Sequence, residues 1–169
     1  NHPDVNWAYG DHNFIDSDGR HILSRYMAPV DYQELYWGDR YLPQEAVFYR
    51  RDLYFRAGEI NGDLPLTMDF DLWLRLGKHE KPGKIPAILG EFRRHDDQKT
   101  WSLANYHKVA ADNRRLHDMP PKPSRGKQLG WLLKHRTYTF YRSSKDRGFM
   151  RTVTELPVRA TRKALGLGT

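Results

Sequence analysis

No cysteine occurs anywhere in the 169 residues. Disulfide staples and thiolate metal sites are thereby excluded, and the chain is compatible with a reducing compartment. Long apolar runs are lacking as well. None approaches the roughly 20 residues that cross a bilayer, and the N-terminal "NHPDVNWAYG" has neither the basic nor the apolar segment of a secretory signal. The expectation is a chain that neither spans a membrane nor is exported. It opens on Asn1 instead of methionine and runs almost at once into strand-like sequence, which points to a piece of a longer protein.

Acidic residues are scarce in one region only. Residues 120–169 carry 12 Lys and Arg against two acids, leaving 16 of the 28 basic and 19 of the 21 acidic residues before them. The net charge of +7 therefore belongs to the tail, and the body is mildly acidic. A basic tail of this kind meets a polyanion, either nucleic acid or an anionic membrane, or else forms a solvated helical face.

What is present divides into short mixed elements. "NWAYGDHNFIDSDGRHILSRYM" reads as two strands joined at Asp18-Gly19, a pair that supplies the positive backbone angle of a tight turn. "DYQELYWG" is a helical turn closed by Gly38, and a strand over Ala46 to Tyr49 follows Pro43 and leads into a helix ending at Gly58. Phe70, Trp73, Leu74 and Gly77 recur at helical spacing; "IPAILGEFRRH" is a strand, 103–117 a helix, and "MPPKPSRG" a linker. This gives a body over 1–119 and a basic helical tail over 120–169. In the tail Trp131, Leu132, Phe140 and Tyr141 stand among cations, the composition of an amphipathic helix lying on an anionic membrane or packed on its own body.

Several side chains could carry chemistry. Asp69 and Asp71, two apart, point to different sides of a helix and have different roles. Asp71 precedes Arg75 by four, the spacing of an ordinary surface pair. Asp69 stands where loop becomes helix and serves either as a cap or as a carboxylate projecting into a cleft. Strand alternation places Glu91, Arg93 and His95 on one face; Arg93 suits a phosphate and neutral His95 a divalent metal, against the alternative of a solvated edge.

The order and spacing of "YGDHNFIDSDGR", "LPQEAVFYRRDLYFRAGEIN", "LTMDFDLWLRL" and "ILGEFRRHDDQKT" resemble the C-terminal half of a family 2 glycosyltransferase, an inverting nucleotide-sugar enzyme of GT-A fold, over roughly residues 5 to 100. The resemblance implies an α/β fold, the acceptor-side half of a GT-A domain, with Asp69 as catalytic base. It implies Arg93 at the diphosphate, His95 at a divalent metal (Mg or Mn), Gln98, Lys99 and Thr100 in the loop closing over the donor, and Gln44 and Trp73 on the acceptor side. The implied partners are a nucleotide-diphospho-sugar and a glycan or lipid-linked acceptor, at the cytoplasmic face of a membrane. The family's D-x-D and its donor-binding first half do not precede these motifs, and "DSDG" at 16–19 is read as the hairpin turn. The competing expectation is a non-catalytic module whose tail binds nucleic acid or an anionic membrane.

Overall fold

A computed structural model describes residues 4–38, 41–64, 66–95 and 103–148, the side chains of 103–107 aside. Its elements are β1 (Trp7–Ile15), β2 (His21–Arg25), α1 (Tyr32–Trp37), a 3-10 turn (Gln44–Ala46), β3 (Val47–Tyr49), α2 (Arg51–Arg56), α3 (Met68–His79), β4 (Gly83–Arg93), α4 (Leu103–Arg114) and α5 (Arg125–Arg147). The architecture is mixed α/β, as the alternation of short strands with helices led us to expect.

Strand β1 is the centre of the four-stranded sheet. β3 pairs antiparallel with its first residues, Trp7 to Tyr9, and β2 antiparallel with its last, His12 to Ile15. β4 runs parallel to it from Ala8 to Ile15, with register shifts around Asp11. The hairpin forms where the sequence places it. Gly19 takes φ +85°, and the Asp16 carboxylate accepts from the N–H groups of Asp18 (2.9 Å) and Arg20 (2.8 Å), so "DSDG" is accounted for as a turn.

The core gathers Trp7, Tyr9, Leu35, Leu53, Phe70 and the α3 leucines 72, 74 and 76. α3 is buried on most of its circumference, because α1 packs closely at Gly77, where an added Cβ would lie 3.1 Å from Leu35. That enclosure corrects the expectation for Asp71. It is 4% exposed, and it pairs with Arg75 (2.6 Å) and with His117 Nε2 (2.9 Å) as an internal network instead of a surface pair. Thr67 precedes α3, and its hydroxyl oxygen accepts from Asn113 of α4 (2.9 Å).

The proline-rich segment after α4 is pinned down. The carbonyls of Asp118, Pro120 and Pro121 accept from Tyr32 Oη, Trp37 Nε1 and Gln33 Nε2 of α1 at 3.1, 3.1 and 2.5 Å. It delivers α5, capped by Ser124, onto the body. There His135 Nε2 contacts the Glu34 carboxylate at 2.6 Å, with Lys134 on its other oxygen, and Arg142 reaches Asp11 at 3.1 Å. Glu34 and Asp11 are both fully buried. Of the two expectations for this helix, packing on its own body holds for the face that carries these residues.

Asp11 also accepts from the N–H of Met27 (2.9 Å) and pairs with Lys84 Nζ (2.7 Å). Taking away one cation of a buried, hydrogen-bonded group is costly because the remaining charge is still out of water. Arg142→Met is expected to lower unfolding free energy by about 3 kcal/mol, the lower end for a broken buried pair because Lys84 remains. Urea denaturation measures this, and adding Asp11→Asn to Arg142→Met should deepen the loss, because Lys84 is then a buried cation without its acid.

Candidate functional site

Successive residues of β1 face opposite sides of the sheet. Asp11 turns toward α5, and His12 turns the other way. There His12 Nδ1 meets Glu45 Oε1 of the 3-10 turn at 2.5 Å, while His12 itself is 4% exposed and its ring lies 4.8 Å from that of Phe14. The approach is possible because the β4 residue opposite His12 is Gly90; a Cβ there would stand 2.3 Å from the Glu45 carbonyl oxygen. Glycine at 90 thus lets the 3-10 turn lie directly against the parallel pair β1 and β4.

Asp69, in the first turn of α3, feels the charge of Glu45. It is half-buried, and its Oδ1 accepts from the N–H of Phe70 at 2.8 Å. Its carboxyl holds a proton more tightly than usual, because burial disfavours the anion and the Glu45 charge adds to that effect, both opposed by backbone hydrogen bonds. Thr67, not Asp69, is the residue preceding the helix. Asp69 is therefore a half-buried first-turn carboxylate held by backbone and within electrostatic reach of Glu45, the environment of a group that accepts a proton.

The other anticipated residues fall at different places. Gln44 is exposed and stands beside Glu45. Arg93 is exposed on β4, three residues past Gly90 and so about 10 Å along the strand. Its Nη1 donates to the carbonyls of Ser17 (2.7 Å) and Asp16 (3.2 Å), bracing the hairpin turn. His95 is exposed just beyond the end of β4. Gln98, Lys99 and Thr100 lie outside the described residues. Trp73 is a correction: it is 3% exposed, stacks on Trp7 with centroids 6.3 Å apart, and fills the core instead of lining an acceptor surface. Its burial follows from the enclosure of α3 by α1 and the sheet.

Among the described residues, no three His, Asp or Glu side chains are grouped as a metal site requires. His95 is one imidazole at a strand end, so the described residues do not by themselves make a divalent-cation site.

A groove of about 610 Å³ lies away from Asp69, between the 57–62 loop, α3 and residues 116–118. Its floor is Asp71 with Arg75 and His117, and Lys78 pairs with Asp118 at its rim. Burial lowers the proton affinity of His117, with Asp71 opposing that shift. The charged groups there are paired with one another.

Sequence reasoning singled out Asp69 and passed over His12 and Glu45. The signal was available in part: alternation along "YGDHNF" forces either Asp11 or His12 inward whichever face is buried. Their partners come from distant segments and leave no local pattern. No family model matches the chain, and no curated protein matches it.

The folded chain binds the Asp69 proton more tightly than the unfolded chain does, so this carboxyl favours folding in acid, and that contribution is lost as pH rises from its ordinary value of 3.8 through the raised one. Asp69→Asn removes a charge that burial and Glu45 disfavour. The variant is expected to melt higher than wild type at neutral pH and to converge with it in acid, as read by thermal unfolding across pH.

Proposed function

We infer that this chain is the acceptor-side part of a GT-A glycosyltransferase of family 2 type, moving a sugar from a nucleotide-diphospho donor to an acceptor hydroxyl with inversion. The observation that carries the reading is Asp69: a half-buried carboxylate in the first turn of α3, fixed by the Phe70 N–H, with raised proton affinity and Glu45 beside it.

In this reading Asp69 takes the proton from the acceptor hydroxyl. The oxygen forms its bond to the anomeric carbon as the bond to the diphosphate oxygen breaks, and the nucleoside diphosphate leaves with that electron pair. Glu45 raises the basicity of Asp69, and His12 holds Glu45 in place. The carboxylate is thereby a better base near neutral pH than an exposed aspartate would be.

A divalent cation, Mg or Mn, supplies charge at the leaving diphosphate in enzymes of this kind; His95 would contribute one ligand and a donor-binding segment the others. Gln98, Lys99 and Thr100 belong to the same donor side, and Gln44 to the acceptor side. The cellular role that goes with this reading is glycan synthesis for a bacterial envelope or exopolysaccharide, at the cytoplasmic face of the membrane.

The test is sugar transfer by the protein carrying this chain together with its donor-binding segment. Asp69→Asn should lower kcat by about 10²- to 10⁴-fold, the size of a lost general base, while donor affinity measured by calorimetry stays near wild type. Glu45→Gln should move the acid limb of the kcat profile to lower pH, because Asp69 loses the neighbouring charge. Undiminished turnover by Asp69→Asn would remove the assignment.

A further inference from the structure

Helix α5 uses only part of its circumference on the body. His135, Arg142 and Ser143 are buried there. On another face Leu129, Leu132 and Leu133 follow one another at i, i+3 and i+4 and are 56%, 40% and 53% exposed. Exposed Arg125 stands four residues before Leu129, and exposed Arg136 three after Leu133. These two arginines form no ion pair with any described residue, in contrast to Lys134 and Arg142, which each meet a buried acid.

Three adjacent leucines exposed on one helix face are unfavourable in water and mark a surface that another phase covers. The cations at both ends of the trio restrict what that phase is. A second copy of the same face would oppose arginine to arginine. Nucleic acid would engage the arginines and leave the leucines in water. An anionic lipid surface satisfies both, with acyl chains taking the leucines and headgroup phosphates the guanidinium groups. At 23 residues α5 is about 35 Å long, yet no described helix is long and apolar enough to cross a membrane, so the geometry is that of a helix lying in the interface.

We propose that the Leu129, Leu132 and Leu133 face of α5, flanked by Arg125 and Arg136, docks the folded protein flat on an anionic membrane surface. This surface is separate from the Asp69 cluster and does not depend on what Asp69 does. It differs from the sequence expectation in its residues: Trp131 and Phe140 are partly buried, and Leu129 and Leu133 take their place.

The test is flotation of the full chain with vesicles of phosphatidylcholine mixed with phosphatidylglycerol, and with phosphatidylcholine alone. The chain should float with the first and not the second. Leu129→Ser with Leu133→Ser should reduce the bound fraction about tenfold or more, since several buried methylenes are lost, and thermal unfolding should match wild type because both sites are exposed. Arg125→Gln with Arg136→Gln should reduce binding comparably, and Asp69→Asn should float as wild type does. Failure to float, flotation insensitive to the leucine pair, or a dimer in sedimentation that the leucine pair dissolves would each overturn the proposal. Tighter binding to a single-stranded oligonucleotide than to the vesicles, unchanged by the leucine substitutions, would overturn it in favour of nucleic acid.

Discussion

A carboxylate with no solvent exposure is several kcal/mol out of place unless cations and hydrogen bonds surround it, and Asp11 sits in that position at the middle of the central strand. Lys84 from β4, Arg142 from α5 and the N–H of Met27 converge on it. Each comes from a different element, so satisfying one side chain fixes the parallel strand, the chain after β2 and the last described helix relative to β1. Glu34 repeats the arrangement with Lys134 and His135. The two buried acids are spaced so that a single helix answers both. Burial also lowers the proton affinity of Lys84 despite Asp11, and its ammonium lies over the rings of Tyr9 and Tyr138, at 5.7 and 5.8 Å from their centroids.

This constraint explains what could be read from the sequence and what could not. The hairpin was legible because Asp18-Gly19 states its own backbone angles, and α3 and β4 were legible because their apolar residues recur at periods of 3.6 and 2. The enclosure of α3 was not, since periodicity locates one buried stripe and cannot say that other elements cover the remainder. Asp71 was read as a surface pair for that reason, whereas Trp73 belonged to the apolar stripe and came to the acceptor side only through the family resemblance. The pairing of Arg142 with Asp11 spans 131 residues, and that of His135 with Glu34 spans 101. Charge composition reports neither, because a cation reserved for a buried acid and a cation reserved for a polyanion are the same letter.

Asp69 was legible for a different reason: an acid at the entrance to an apolar periodic run is visible locally. The surroundings that raise its proton affinity were not. The nearby Glu45 comes from a 3-10 turn whose approach depends on the absence of a side chain at Gly90, and His12 is presented by strand alternation from the other side of the sheet. A helix start alone would be best served by a carboxylate with ordinary or lowered proton affinity, stabilised by the free N–H groups. Here the surroundings oppose the anion, and stability is sacrificed at the position where a base would need it.

The two faces of β1 therefore carry opposite solutions to one problem. Toward α5, the acid is overcompensated by cations and made inert, which holds the body and the tail together. Toward α3, acids are brought near one another with one imidazole between strand and turn, which leaves a proton-hungry carboxylate half open to solvent. Because Asp11 and His12 are adjacent, a shift of β1 by one residue would exchange their faces, putting the imidazole among cations and a third carboxylate beside Glu45 and Asp69. Both arrangements would then fail together, so the register of this strand with Gly90 and Glu91 of β4 is fixed by electrostatics as well as by the apolar pattern.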